Sequence, residues 1–200
     1  MGDTKERIMR TSMELFAKKG YEAVSVSDIA GALGVTKGAL YRHFDSKRAI
    51  FEAILQCLEQ RDGDQARGHG LPEGIVQQNA AAYETTTPAD IVSFSKAMFR
   101  YWTEDPFAAP FRRMLTLEQF HSYEMGGLYQ QYLSAGPMEY VADLFRGLGL
   151  SDPARRAAAF YGPMFLLYSV YDGAEDKAAV TALLDEYLDQ AEKEIMGGEK

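Results

Sequence analysis

Residues 25–48 read SVSDIAGALGVTKGALYRHFDSKR, and this order of residue types predicts two short helices joined by a tight turn. Ser25 and Asp28 form an S-x-x-D pattern, which is typical of a capped helix start. The apolar residues that follow recur at helical spacing and give the first helix one apolar face: Val26, Ile29, Ala30 and Leu33. The first helix is therefore expected to lie with one side against a core.

The second half of this stretch predicts the turn and the second helix. Gly34 suits a tight turn because glycine takes positive φ without steric cost. Thr36 can cap a helix over about residues 37–43. Leu40 would then point at the first helix, with basic and aromatic side chains on another side. This arrangement indicates a helix-turn-helix whose second helix fits the DNA major groove.

The motif extends beyond the two helices on both sides. Residues 20–47, with the pattern GY-x-x-x-SV-x-DIA-x-x-LGVTKGALYRHF-x-SK, resemble the DNA-binding domain of the tetracycline-repressor (TetR) family of transcription regulators. The resemblance covers about residues 3–61, with the helix-turn-helix at about 25–44, while residues 62–200 share only length and helical character. It implies an all-α chain with an N-terminal three-helix DNA-binding domain (3–61) and a larger C-terminal helical domain (62–200) for effector binding and dimerisation.

The net charge of −8 over 200 residues opposes DNA binding on average, but the charge is unevenly distributed. Residues 1–60 hold nine Lys or Arg and eight Asp or Glu, whereas residues 61–200 hold twelve and twenty-one. Residues 36–48 hold four basic residues and one acidic residue. Because salt screens charges beyond about 10 Å at 0.1 M ionic strength, phosphate binding depends on this local charge.

Other features of the sequence argue against several protein classes. The single cysteine, Cys57, excludes an internal disulfide and fits a reducing cytoplasm. The chain has no apolar run of about 18 residues and no apolar signal core, so no transmembrane or leader segment is expected. His43, His69 and His121 have no metal-ligand spacing, and no catalytic or nucleotide-binding motif occurs. We therefore expect a cytoplasmic protein that is not an enzyme and has no metal or cofactor.

The remainder of the chain predicts helices only. The glycines and proline of residues 62–74 mark a domain boundary. Further helices are expected over residues 75–84, 88–104, 107–122, 127–148, 152–172 and 176–196. Pro137 and Pro163 fall inside two of these spans, so a kink or a split is expected in each.

The family resemblance implies which residues contact DNA. Those matching the motif are Ser25, Ser27, Thr36, Lys37, Gly38, Ala39, Tyr41, Arg42, His43 and Lys47. Arg42 can form a bidentate contact to guanine, and Tyr41 and Lys47 match positions that contact phosphates. Ser27 stands where arginine is frequent in the family, which weakens one contact. The alternative is that the basic residues form a solvated face and that His43 only packs.

The resemblance also implies a small-molecule effector in the second domain, whose binding releases DNA. Aromatic and methionine side chains suit an apolar or planar ligand. The candidate lining residues are Phe99, Trp102, Phe111, Met114, Phe120, Tyr123, Phe165 and Tyr168. The alternative is that aromatic residues at helical spacing form an ordinary core.

The last two predicted helices are candidates for a dimer interface. The segment AAAFYGPMFLLYSVY is apolar nearly all round, so both sides of it must be buried. Family members dimerise through two such helices from each subunit. The candidate interface residues are Phe160, Met164, Leu167, Leu184, Leu188 and Ala191. The alternative is a buried helix in a monomer.

Together these features predict a homodimeric DNA-binding transcription regulator. By resemblance it is a repressor, released from a palindromic operator by a small apolar or aromatic effector. An activator, or a DNA-binding protein that needs no effector, is the alternative. The partners expected are double-stranded operator DNA, the effector and a second copy of the chain, with no membrane.

Overall fold

The computed structural model of the protein describes residues 2–72 and 86–197. The helices in these ranges are α1 (Gly2–Lys19), α2 (Val26–Leu33), α3 (Lys37–Tyr41), α4 (Lys47–Gly68), α5 (Pro88–Glu104), α6 (Ala108–Glu118), α7 (Tyr123–Leu133), α8 (Ala135–Gly147), α9 (Pro153–Gly173) and α10 (Lys177–Gly197). The described part of the chain contains no strand, so the predicted all-α fold is confirmed. None of its helices is long and apolar enough to cross a bilayer. The predicted helix at 75–84 lies outside the described residues.

Glycine and proline lie at several of the helix ends. Gly20 ends α1 at φ +84°, a conformation that only glycine adopts without strain. Its N–H donates to the Phe16 carbonyl at 2.9 Å. The predicted 127–148 span is split at Ser134, between α7 and α8. Pro163 was expected to kink or split its helix, yet α9 continues through it from residue 153 to 173.

The first compact unit contains residues 2–61 together with residues 104–129, and we call it the N-terminal unit. Phe16 of α1 and Phe51 of α4 form the centre of its core, with ring centroids 6.4 Å apart, and both are fully buried. α1 also packs along α6. The predicted boundary after residue 61 coincides with a unit boundary. Residues 104–129, which the sequence pattern assigned to the second domain, instead lie in the same compact unit as the helix-turn-helix.

The second compact unit contains residues 62–103 and 130–200, and we call it the C-terminal unit. Its described core is rich in aromatic side chains: Phe99 of α5 stacks on Tyr168 of α9, with centroids 5.1 Å apart and planes 11° apart. Phe145 of α8 meets Phe160 of α9 edge to face at 5.5 Å. α10 packs on α9 and is joined to α5 by two ion pairs: Lys96–Asp189 and Arg100–Asp185.

Candidate nucleic-acid interface

The helix-turn-helix begins with the predicted cap. The Asp28 N–H donates to the Ser25 hydroxyl at 3.2 Å, and the Ser25 N–H donates to the Asp28 carboxylate at 2.8 Å. This reciprocal pair is a capping box, and it satisfies two N–H groups that a helix start leaves unpaired. Hydrogen bonds from the Ser25 side chain and backbone hold the pKa of Asp28 below its ordinary value. The Ser25 hydroxyl is thus already engaged in holding α2.

Gly34 and Thr36 form the turn as their residue types predict. Gly34 adopts φ +69° and ψ +28°, the left-handed region that favours glycine. Thr36 caps α3, because the Ala39 N–H donates to its hydroxyl at 3.1 Å. Both ends of the turn are therefore fixed by local hydrogen bonds, which orients α3 before any partner binds.

α3 presents nearly all of its side chains outward. Leu40 is fully buried and anchors the helix to the core. Lys37, Gly38 and Arg42 are exposed, and Tyr41 is 46% exposed. Ala39 and His43 are half-buried. A short helix with cationic, phenolic and small side chains on its open face can contact both phosphates and base edges.

Lys47 lies in a different environment from the one the resemblance implied. Its ammonium donates to the carbonyls of Tyr21 at 2.8 Å and Glu22 at 3.3 Å. It also lies 4.2 Å from the centroid of the Tyr21 ring. These contacts fix residues 21–24, the link between α1 and α2. The ammonium is therefore committed to an internal structural role, and its placement argues against a primary phosphate contact.

The Glu118 carboxylate also contacts the link between α1 and α2, although it lies far later in the chain. The buried Glu118 carboxylate accepts the Tyr21 N–H at 3.3 Å and lies 3.1 Å from Nδ1 of His121. A Cβ on Gly20 would stand 2.4 Å from its Oε1. Sequence reasoning missed Glu118, because nothing in the residues near it indicates a partner 97 positions away.

Arg48 joins α4 to α7 within the N-terminal unit. Its guanidinium donates to Glu52 at 2.8 Å and pairs with Glu124 at 2.6 Å. The hydrogen bonds to Glu52 and Glu124 raise the pKa of Arg48 above its ordinary value. Because all three side chains are about half exposed, this network contributes orientation more than stability.

The eight candidate effector residues are divided between the two units. Phe111 and Met114 are fully buried in the N-terminal unit, while Phe120 and Tyr123 of that unit are 87% and 100% exposed. The other four belong to the C-terminal unit: Phe99, Trp102 and Tyr168, which are buried, and Phe165, which is exposed. Of the buried three, Phe99 and Tyr168 stack on each other, while the ring of Trp102 meets those of Tyr101 and Tyr132.

The six candidate dimer residues are all buried in the core of the C-terminal unit: Phe160, Met164, Leu167, Leu184, Leu188 and Ala191. They are therefore not available to a second subunit. The exposed large apolar residues of the same helices are Phe165, Leu166 and Val170 on α9 and Leu183 on α10. The correction has a simple cause: a helix that is apolar all round does not reveal which face its own core covers.

No group of three or more His, Cys, Asp or Glu side chains within residues 2–72 and 86–197 is arranged to hold a metal ion. The site therefore consists of the helix-turn-helix and the residues that brace it.

Residues 8–54 match the model of the family described as bacterial regulatory proteins, tetR family. Over 50 residues the chain is 52% identical to the uncharacterized HTH-type transcriptional regulator YerO of Bacillus subtilis (strain 168), a match covering 25% of this chain and 17% of YerO. It is 40% identical over 53 residues to IcaR of Staphylococcus aureus (strain Newman), the HTH-type negative transcriptional regulator of the biofilm operon icaADBC. That match covers 26% of this chain and 28% of IcaR.

Solved structures extend the similarity of the fold to almost the whole chain. A transcriptional regulator from Aquifex aeolicus VF5 aligns with a TM-score of 0.67 and 20% identity, over 94% of this chain and 98% of that one. The fatty acid degradation regulator FadR from Bacillus halodurans aligns with a TM-score of 0.62 and 17% identity, over 100% and 98%. At these identities the likeness concerns the fold alone. Residues 8–54 therefore form a domain that matches the tetR family of bacterial regulatory proteins.

Proposed function

We propose that the protein is a transcriptional repressor that binds a palindromic operator as a homodimer and releases it when a small apolar or aromatic effector binds. The observation that carries the proposal is α3, which is capped by Thr36, anchored by Leu40 alone and exposed at Lys37, Tyr41 and Arg42. Direct readout of base edges requires a helix that fits the major groove and presents side chains that are already oriented toward it. The cationic and phenolic side chains of α3 meet this requirement.

Each exposed side chain of α3 has a distinct expected role. Arg42 can donate two hydrogen bonds to O6 and N7 of a guanine, and Ala39 can touch a thymine methyl. Lys37 and Tyr41 can hold phosphates without reading sequence. Gly38 has open space around it, with the Thr36 hydroxyl 4.0 Å from the position of a Cβ, so the backbone can approach DNA closely.

Repression is supported by one relative. IcaR is by name a negative regulator, and the match to it spans 53 residues, 28% of its length. A match this short does not by itself transfer the direction of regulation to this chain. The proposal of repression therefore requires the operator to overlap a promoter, which footprinting of the bound promoter would test.

Selection of bound duplexes from a random-sequence library tests operator binding directly. We expect enriched sequences to contain two inverted half-sites, with centres one helical turn apart (about 34–36 Å) or a multiple of it. Arg42→Ala should cost about 1–3 kcal/mol and relax the preference at one base pair of each half-site. Arg155→Ala removes the same charge from an exposed position in the C-terminal unit. It should change neither the binding free energy nor the base preference. Failure to enrich any sequence would contradict the proposal.

For the dimer, we propose that the exposed apolar face of α9 and α10 is the contact surface. Leu166 is 63% exposed and Leu183 is 55% exposed. Leu166→Glu should convert a dimer into a monomer, measured by sedimentation at micromolar concentration, without lowering helix content. Leu117→Glu, at an equally exposed leucine of the N-terminal unit, is the matched control. A wild-type monomer would refute this part of the proposal.

For the effector, we propose the stacked Phe99–Tyr168 pair of the C-terminal unit, with Trp102 one turn along α5 from Phe99. A planar ligand could replace one member of the stacked Phe99–Tyr168 pair. A compound that binds there should raise the melting temperature. It should also lower DNA affinity by the same factor by which DNA lowers affinity for the compound. Stabilisation without any change in DNA affinity would argue against the coupling.

A further inference from the structure

An open depression of about 80 Å³ lies beside α3 in the N-terminal unit, and its surface is mostly apolar. Ile8 of α1 and Leu40 of α3 line it and are buried, so they lie at its floor. Val35, in the turn before α3, also lines it and is 44% exposed. The depression therefore offers an apolar surface, open to solvent, next to the helix that is proposed to enter the major groove.

The Val35 side chain is held in place by the turn on which it stands. Gly34 before it adopts the left-handed conformation, and Thr36 after it caps α3. The Val35 N–H donates to the Ala30 carbonyl at 3.0 Å. Because a β-branched side chain is also restricted at χ1, little conformational freedom is lost when a ligand contacts it. Val35 is thus an apolar group that is positioned before any DNA binds.

The same depression includes two residues of the proposed reading face. Val35, Ala39 and Arg42 all line it, and their spacing of four and three positions is that of residues on one side of a helix. Lys37 and Tyr41 do not line it. The apolar surface and the Arg42 side chain, which is proposed to bind guanine, therefore lie beside each other.

The apolar character and the size of the depression indicate what it can accept. In the major groove of B-DNA the C5 methyl of thymine is an apolar group, whereas the hydrogen-bonding base edges and the phosphates need polar partners. A volume of 80 Å³ is the share of liquid volume of about two to three waters, which is enough for a methyl group. It is too small for the proposed effector, since pockets for drug-sized ligands measure about 300–1,000 Å³.

We propose that this depression receives the C5 methyl of an operator thymine, and that Val35, which is not among the residues implied by the family resemblance, is a specificity-determining residue. The inference rests on the proposed function and deepens it by naming a base group that is recognised. Val35 and Ala39 contact the methyl while Arg42 binds a nearby guanine, so each half-site contains a thymine close to a guanine.

Replacing thymine by deoxyuridine tests the contact, because deoxyuridine pairs with adenine in the same way and lacks only the C5 methyl. The probe is the operator selected from the random-sequence library, with symmetric thymines of its two half-sites replaced one pair at a time, and fluorescence anisotropy measures affinity. One buried methyl contributes about fourfold in affinity per half-site, so replacing one symmetric pair should lower wild-type affinity by about fifteenfold. In Val35→Ala the same replacement should lower affinity by less than about fivefold.

Leu117→Ala is the matched control, because Leu117 is an exposed leucine of the N-terminal unit that does not line the depression. It should keep the wild-type ratio of affinities for the thymine and deoxyuridine operators. Val35→Thr keeps the β-branched shape and exchanges one methyl for a hydroxyl, so its ratio should fall while its melting temperature stays that of wild type.

Two results overturn the inference and leave the proposed function standing. The first is a wild-type protein that binds its operator but is insensitive to every deoxyuridine replacement. The second is a wild-type ratio in both Val35 variants, since the methyl would then be recognised elsewhere. Failure of the wild-type protein to select any operator overturns the proposed function itself.

Discussion

Replacing Lys47 with alanine should destabilise the N-terminal unit rather than remove a DNA contact. The ammonium donates to the Tyr21 carbonyl at 2.8 Å and the Glu22 carbonyl at 3.3 Å, and it lies 4.2 Å from the centroid of the Tyr21 ring. All three contacts end on the link between α1 and α2. Without the ammonium, two carbonyls lose a charged donor, and the link keeps the packing of the Tyr21 ring on Phe51 of α4.

The expected loss follows from these contacts. A hydrogen bond to a charged group contributes about 1.5–3 kcal/mol, and a cation over an aromatic ring about 0.5–1 kcal/mol when water reaches it. The Lys47 side chain is 21% exposed, so water can replace part of what is removed. We therefore expect a loss of about 2–3 kcal/mol in the free energy of unfolding. In a chain of this size that is a fall of about 5–10 °C in melting temperature.

Thermal unfolding followed by circular dichroism measures this loss, with Lys37→Ala as the matched control. Lys37 is exposed on α3, so its loss should change stability by no more than about 0.5 kcal/mol. The same change should reduce the salt slope of DNA binding by about one per contact. Lys47→Ala should instead lower the free energy of unfolding and leave the salt slope of DNA binding unchanged. A Lys47→Ala protein with the wild-type melting temperature and a reduced salt slope would refute the structural role and restore the phosphate contact.

Two further predictions concern the caps and glycines around the same motif. In paired melting experiments, Gly20→Ala should lower the melting temperature more than Gly34→Ala, although both glycines have positive φ. A Cβ at position 20 would clash with the Glu118 carboxylate, whereas a Cβ at position 34 would meet nothing within 4 Å. Equal losses would contradict this. Ser25→Ala should cost about 1 kcal/mol by removing the cap. The pKa of Asp28 is lower in the folded state than in the unfolded state. The Ser25–Asp28 pair therefore contributes fully to the free energy of unfolding above the pKa that Asp28 has when unfolded, and this contribution is lost as pH falls through its pKa when folded. The stability difference between wild type and Ser25→Ala should therefore narrow in acid, and a constant difference would contradict the assignment.

The helix-turn-helix was predictable because its determinants are local. The Ser25–Asp28 box spans three residues, Thr36 caps α3 through the Ala39 N–H, and Gly34 forms the turn between them. Each of these conformations follows from the chemistry of one residue and its near neighbours. The all-α class followed in the same way from helical spacing of apolar residues along the chain.

Residue orientation within the apolar helices was not predictable, because it depends on which partner each helix meets. α9 is apolar nearly all round, and its sequence does not distinguish Met164 and Leu167, which are buried, from Leu166 and Val170, which are exposed. The contacts of Lys47 also depend on tertiary structure, since its carbonyl partners lie 26 and 25 residues earlier in the chain. A charged residue at a helix start is compatible with either an internal or an external partner.

The largest difference from the sequence-based division of the chain is that residues 104–129 share a compact unit with residues 2–61. Arg61 pairs with Asp105 at 3.5 Å and lies 5.2 Å from the Phe107 ring centroid, and Glu118 accepts the Tyr21 N–H. A fragment that ends at residue 61 lacks all three contacts and exposes the face of α1 that packs on α6.

The same packing determines how the candidate effector residues can be tested. Phe111 and Met114 are core residues of the N-terminal unit, and truncating such side chains costs about 2–5 kcal/mol. Loss of DNA binding in such variants would follow from a weakened reading unit, whatever the effector does. Changes at Phe99, Trp102 and Tyr168 are better suited to separating the two effects, because those residues belong to the C-terminal unit. The division of the chain into units, rather than the order of its residues, therefore decides which substitutions test for an effector.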